Sequence, residues 1–472
     1  MFLQRRRSNL KLDSLENRVC PAIVVRSIGP DLFITGSPVA ENGTNQQFLV
    51  QQTAPNRFTI QDKAATTRTF GPFSVSRLLS INLNYYNTDI NVDINGTFGG
   101  NVLLNLGLGD RDLSLTDQNP VSVYSTAAGG KLGGNLTFLR GSGSEIFQVG
   151  VFGNPGATTA GALAIGGNLT AVGRNVRGNA AFNNGGDGLF VGPGSSVGGN
   201  VSASFIDSVD IGQPVPSDLT TIGGSLTVTN ATSPNFLNVN IFGTVNGNVS
   251  VTGTVLGDQF VLDQTLAATG GIINGNLSLN LGLASDIGEF VILGTNTVVR
   301  NSVSITALGG GGNSGAYTIS GAIDGSLRIS MGEGDNILAY TGSVTGDVYV
   351  WSGNGANDLS TFTGTVPGNI FIKLGNGQNR TNIATAPDGM LIYRGGNGSQ
   401  SGTAGQEELT LSGADMLYKV DVLFGLFGNH TLVMDSTGNA SFITGRLWSG
   451  VLATSIFDNQ DGIILQPFKI NF

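Results

Sequence analysis

Gly134-Asn135-Leu136-Thr137-Phe138-Leu139, Gly167-Asn168-Leu169-Thr170-Ala171-Val172 and Gly199-Asn200-Val201-Ser202-Ala203-Ser204 are three copies of one pattern, set 33 and 32 residues apart. Each opens on a Gly-Asn pair and continues as a short strand in which apolar residues alternate with Thr or Ser. The opening recurs upstream as Gly100-Asn101-Val102. Downstream it recurs as Gly224-Ser225-Leu226, Gly247-Asn248-Val249, Gly275-Asn276-Leu277, Gly325-Ser326-Leu327, Gly346-Asp347-Val348 and Gly368-Asn369-Ile370. Asn301-Ser302-Val303 is a degenerate copy inside the one long gap. Counting that copy, the 268 residues from Gly100 to Gly368 hold ten intervals of about 27 residues. Self-similarity on that scale is the signature of a solenoid.

A second pattern lies midway in each repeat, where a Gly-rich turn leads through an acid or amide into another short apolar strand. Gly107-Leu108-Gly109-Asp110 precedes Leu113-Ser114-Leu115, and Gly332-Glu333-Gly334-Asp335 precedes Ile337-Leu338. Asn354-Gly355-Ala356-Asn357-Asp358 and Gly375-Asn376-Gly377 belong to the same set. Two or three short strands in 21–34 residues make one coil of a right-handed parallel β-helix, each coil stacking on the next at ~4.8 Å. Eleven such coils span roughly 50 Å. A β-propeller is the alternative, but its blades take ~40–50 residues with aromatic signatures, and Trp351 and Trp448 are the only tryptophans.

Composition agrees with an all-β chain rich in turns. The 472 residues include 73 glycines and are 12% charged, against usual levels of ~7% Gly and ~25% charged residues. Apolar residues at 40% exclude disorder; 14 prolines and aperiodic glycines exclude collagen. Gly and Asn tolerate left-handed backbone, so they are expected at the corners in that conformation. The organisation read from the sequence is a basic tail over 1–22, an N-terminal β cap with first coils over 23–95, the repeated body over 96–389, and a C-terminal β cap over 390–472. Caps are expected because a bare terminal coil leaves open sheet edges. Residues 404–408 and the Gly-rich stretch before them read as a loop.

Several function classes are disfavoured at once. A net charge of −9 with only 23 Lys and Arg argues against nucleic acid as a partner. No apolar run is long enough for a transmembrane helix. Cys20 is the only cysteine and His430 the only histidine, which removes an intrachain disulfide and most zinc and general-base chemistry.

The tail holds Arg5, Arg6, Arg7 and Lys11 without the apolar segment of a secretory signal. Its Leu12-Asp13-Ser14-Leu15-Glu16-Asn17-Arg18-Val19-Cys20-Pro21-Ala22 resembles the N-terminal Leu-Glu-x-Leu-Glu-x-Arg motif of large exported proteins of planctomycete bacteria. Asp13 stands where the first Glu is usual. The resemblance covers about eleven residues and implies export to the cell surface or beyond, not a catalytic activity.

Catalytic motifs occur only as isolated matches. Gly194-Ser195-Ser196-Val197-Gly198 fits the nucleophile elbow but leads into a strand, not a helix, and His430 lies far off in a turn-like setting. Gly310-Gly311-Gly312-Asn313-Ser314-Gly315 fits a dinucleotide fingerprint but also precedes a strand. Asn87-Thr88-Asp89 resembles one element of polygalacturonases, but their paired aspartate, Gly-His-Gly and Arg-x-Lys elements are missing, so Asp89 and Asp93 are expected on the solvent face. Sequons at Asn95, Asn135, Asn168, Asn200, Asn248 and Asn276 follow from the repeat itself and read as stacked turn amides.

The resulting expectation is a non-catalytic, exported structural or adhesin-like β-solenoid at the cell surface or outside the cell. Its candidate partner is a polysaccharide or another surface component. The alternative is a carbohydrate-active β-helix enzyme, a polysaccharide lyase or glycoside hydrolase. No catalytic or cofactor-binding residue is assigned. Asn101, Asn135, Asn168, Asn200, Asn248, Asn276 and Asn369 form the expected turn ladder, with neighbours one strand spacing apart. Acids recur at the other corner as Asp110, Glu145, Asp187, Asp258, Asp335 and Asp358. Calcium takes six to eight oxygens, which makes Asp335 and Asp358 the calcium candidates, although an Asp in a Gly-rich turn usually caps its own backbone.

Overall fold

A computed structural model describes residues 23–36, 46–62, 68–83, 88–106, 120–139, 146–150, 161–173, 187–213, 220–231, 236–254, 257–262, 271–282, 289–307, 315–355, 357–396, 406–413, 417–425, 427–435, 442–448, 452–459 and 464–471. The tail with its export-type segment, Asp110 and Glu145 lie outside them.

The described chain is all β and forms a parallel β-helix built on three sheets. From Thr88 to Ser352 every coil contributes a strand of four to six residues to sheet 2, then two or three residues to sheet 3, then four or five to sheet 1. The repeat opening sets the register of sheet 1. Val102, Leu136, Leu169, Val201, Leu226 and Val249 pair in turn. The line continues through Leu277, Val303, Leu327, Val348, Ile370 and Leu391, so the degenerate copy at Val303 occupies a full coil. Sheet 2 is an equally open line of parallel strands from Gln46–Ala54 to Leu452–Asn459.

Alternation places one face of each strand in a continuous apolar column. Val249 and Val251, Leu277 and Leu279, and Val303 and Ile305 point inward, while Ser250, Ser278 and Ser304 point out. Each inward side chain packs on its counterparts one coil above and below. Burial of a Val, Leu or Ile side chain contributes about 1.5–3 kcal/mol, repeated along the stack. Phe138 stacks on Phe147 at 4.8 Å, and Phe58 meets Phe98 edge-on at 5.1 Å.

The N-terminal edge is closed by antiparallel pairing. Ile23–Ile28 folds back on Asp31–Gly36 at the edge of sheet 1, and Arg57–Asp62 and Arg68–Ser74 fold over Gln46–Ala54 at the edge of sheet 2. Sheet 3 begins at Thr97, whose carbonyl accepts a hydrogen bond from the Gln52 side chain. Pro72 in the outermost strand offers no N–H to an incoming strand.

Past Gly389 the parallel register runs on. Leu391–Arg394, Leu417–Leu423, Phe442–Trp448 and Ile464–Asn471 extend sheet 1, so past Gly389 the described residues form coils of two strands. Sheet 3 ends at Ser343–Val344, with one further bridge from Ser343 to Thr365. In preceding coils the next position donates an N–H to the coil below, as Asp324 does to Val299 and Thr345 to Ile323. The Ser343–Thr365 register puts Pro367 at that position, and proline has no proton to give.

The corners divide on one expectation: Gly334 and Gly377 of the Gly-rich turns take the left-handed conformation, and the Gly-Asn openings do not. Among the described residues, positive φ outside glycine occurs only at Asn56 and Phe205, and no glycine of the Gly-Asn openings has it. Glycine is needed there for room. A Cβ on Gly199 would lie 2.3 Å from Asn168 Oδ1 and 2.9 Å from the Gly167 carbonyl.

Candidate functional site

Two polar columns run along the helix. The first is the ladder of the repeat opening. The Oδ1 atoms of Asn101, Asn135 and Asn168 accept the backbone N–H of Asn135, Asn168 and Asn200, each at 2.8 Å. Asn200 serves Ser225, Ser225 serves Asn248, Asn248 serves Asn276, and Asn276 serves Ser302. Asp347 accepts from Asn369, and Asn369 Oδ1 accepts from Met390, whose side chain has no oxygen with which to continue. Each side chain thus reaches forward to the next coil, and the glycine before it leaves space for the amide oxygen arriving from behind.

The second column takes in three of the acids expected at the Gly-rich corner, Asp187, Asp258 and Asp358, and adds members that the corner pattern does not show. It occupies one register position of sheet 2, just before the strand at Asp187, Asp207, Asp258, Glu289 and Asn336 and inside the strand at Asp358, Asn379, Glu407 and His430. All but Asp207 are buried. Here the carboxylates reach backward. Asp207 accepts the N–H of Asp187, Asp258 that of Leu237, and Asp358 that of Asn336. Asp258 also accepts from the N–H and hydroxyl of Thr254 and the N–H of Gly282. Burial nevertheless outweighs these donors and raises the pKa values of Asp258 and Asp358.

At its C-terminal end the column holds the single histidine. His430 lies within the strand Phe427–Asp435, not in a turn, and is buried against Phe424 with ring centroids 5.1 Å apart. Its Nδ1 lies 3.3 Å from Glu407 Oε2, and Nε2 lies 3.1 Å from the Gly425 carbonyl. Glu407 Oε1 accepts from the N–H of Gly396 at 3.0 Å and the Tyr393 hydroxyl at 3.4 Å. Glu407 therefore belongs to a core strand, Gln406–Ser412, where the sequence had suggested a loop.

The remaining sequence candidates stay apart. Ser195 is a buried turn residue whose hydroxyl accepts the Leu163 N–H, in a different coil from His430. Asp93 is buried, contrary to the expected solvent face, because Gln51, Asn95 and Thr126 direct hydrogen bonds at its carboxylate. The side chain of Asp89 lies outside the described residues, as does Gly310–Ser314, which leads into the strand Ala316–Ile319. Asp335 is half-buried, and Asp358 is engaged by Asn336 and Ser352. Among the described residues no group of three or more His, Cys, Asp or Glu is placed to hold a metal ion.

The outer face of sheet 1 carries regular rows of side chains. From Thr170 through Ser202, Thr227, Ser250 and Ser278 to Ser304, one row carries only hydroxyls. Beyond Ser304 the same row becomes Arg328, Tyr349, Phe371 and Ile392. The neighbouring row becomes Ser330, Trp351, Lys373 and Arg394. Comparison with protein-family models, curated proteins and solved structures gave no match.

Proposed function

We propose that the chain is an exported, non-catalytic structural or adhesive β-solenoid acting at the cell surface or outside the cell, where its long side meets polysaccharide or another surface component. The observation that carries this reading is the use made of its polar side chains. The ladder amides and column carboxylates are engaged in joining coil to coil, and the sheet 1 rows between Thr170 and Thr306 display short, mostly hydroxylated side chains to solvent. Such a surface suits contact along a polymer better than acid–base work at one bond. Export rests on the resemblance of residues 12–22.

Catalysis, a cofactor and a metal are left out of the proposal. A polysaccharide-cleaving enzyme needs two carboxyl groups facing one bond, whereas Asp258, Asp358 and Glu407 face protein donors inside the helix. Glycan-array binding with a parallel cleavage assay tests the reading: binding without products is expected, and polysaccharide depolymerisation overturns it. Calcium titration of the metal-stripped protein should be flat. Binding tighter than about 0.1 mM that is lost in Asp358→Asn would make the corner acids ligands.

A further inference from the structure

We propose that the outer face of sheet 1 between Arg328 and Arg394 is a binding platform for an acidic, uronate-bearing polysaccharide. This rests on the surface role proposed above for where such a polymer is met, and gives that role a ligand class. Tyr349 and Phe371 lie parallel, 4.6 Å apart with an interplanar angle of 3°. Trp351 stands 6.0 Å from Tyr349 and is 38% exposed. Arg328 lies over the Tyr349 ring at 4.6 Å, and Lys373 and Arg394 follow Trp351 in the adjacent row.

Three features single this stretch out. Aromatic side chains combine an apolar face with a position at the water boundary, the surface that the C–H face of a pyranose ring stacks on. The cations are concentrated where the chain as a whole carries −9. Arg328 and Lys373 are exposed and form no ion pair among the described residues, whereas Arg394 is paired with Asp421. Finally, the groups repeat at the strand spacing of ~4.8 Å along the helix axis, close to the rise of one sugar along an extended chain. A polymer lying along the axis can therefore stack on the exposed Trp351 and run over the edges of the Tyr349–Phe371 pair, whose mutual stacking and the Arg328 guanidinium cover the Tyr349 faces, while its carboxylates meet Arg328 and Lys373. A neutral glycan would use only the rings. The hydroxyl rows upstream supply neither group.

The test uses the full purified chain and polygalacturonate, with dextran as the neutral polymer. Binding to polygalacturonate is expected to weaken with added salt. It is expected to fall at least about tenfold, the equivalent of 1.4 kcal/mol, in Trp351→Ala and in the Arg328→Gln/Lys373→Gln double variant. Ser250→Ala and Ser278→Ala should leave it unchanged. Circular dichroism and Trp351→Phe, which keeps a ring and should keep most of the binding, separate a lost contact from a lost fold. No binding by the folded wild type, equal binding by the platform variants, or equal affinity for dextran overturns the platform. Failure here with glycan-array binding retained leaves the surface role standing. Absence of the chain from the cell surface and medium removes that role but not the polymer contact.

Discussion

Asp347 and Asp358 bear the same carboxylate on neighbouring corners of the helix, and the fold pushes them in opposite directions. Asp347 belongs to the outer ladder and accepts the Asn369 N–H at 2.7 Å and the Tyr349 hydroxyl at 3.0 Å. The Asn369 N–H is the main reason its pKa is held below the ordinary 3.8. Asp358 belongs to the inner column and accepts the N–H and side-chain amide of Asn336 and the Ser352 hydroxyl. It has no fewer donors, yet burial raises it. The position relative to solvent, not the number of partners, decides the sign. The same difference explains the tolerance of the outer ladder, where Asn, Ser and Asp alternate as acceptors. Inside, an acceptor that is removed leaves donors that water cannot reach.

The largest expected effect therefore lies in the inner column. Asp258→Ala strands the N–H groups of Leu237, Thr254 and Gly282, each costing about 1–3 kcal/mol when buried and unpaired. A total loss of at least about 3 kcal/mol in denaturant unfolding is expected; a loss under about 1 kcal/mol would make the column dispensable. The outer ladder comes second, through its glycines. Gly199→Ala drives a methyl into Asn168 Oδ1 and the Gly167 carbonyl and should cost about 1–3 kcal/mol. Gly188→Ala, whose new methyl would find nothing nearer than 3.8 Å, should fall within about 0.5 kcal/mol of wild type. Equal effects at the two sites would break the space argument. Third is the ladder acceptor itself: Asn168→Ala removes one exposed hydrogen bond, about 0.5–1.5 kcal/mol. Faster hydrogen exchange should be confined to the Asn200 amide and its neighbours.

The two columns also differ in what the sequence discloses. The outer ladder was legible because one residue type recurs beside a glycine and opens an alternating strand. Register then followed coil by coil, even through the degenerate Asn301-Ser302-Val303. The inner column was legible only in part, through Asp187, Asp258 and Asp358, because its members are Asp, Glu, Asn or His, and two of its positions are Leu237 and Gly315. As far as Asn336 its local signal is a polar residue just before a sheet 2 strand, which also describes an ordinary turn, and from Asp358 on the residue lies inside the strand. Glycines opposite the column were a further clue in retrospect: a Cβ on Gly253 would meet Asp258, and one on Gly395 would meet Glu407. His430 was hidden for another reason. Gly428-Asn429 reads as a turn locally, but pairing with Glu407 on one side and Ser455 on the other holds it extended. The coils after Gly389 escaped because their openings lack the Gly-Asn pair, although their apolar alternation continues.

The smallest effect is the sharpest comparison, because it predicts opposite signs from one substitution. For Asp358 the folded pKa lies above the unfolded value of 3.8, so the native state holds its proton more tightly. Its contribution to stability is full below 3.8 and is lost as pH rises through the raised folded value. For Asp347 the folded pKa lies below 3.8. Its contribution is full above that value and is lost as pH falls through the lowered one. Asp358→Asn and Asp347→Asn remove each titration while keeping an acceptor oxygen in place. Denaturant midpoints measured from strongly acid solution to neutrality should then separate the two variants. Relative to wild type, Asp358→Asn should gain as pH rises above 3.8, because only the wild type pays for ionising a buried acid. Asp347→Asn should gain as pH falls below it, because only the wild type loses a charged acceptor for the Asn369 N–H. Parallel pH profiles for the two variants would mean that the columns share one electrostatic environment, and the contrast between the outer ladder and the inner column would fail.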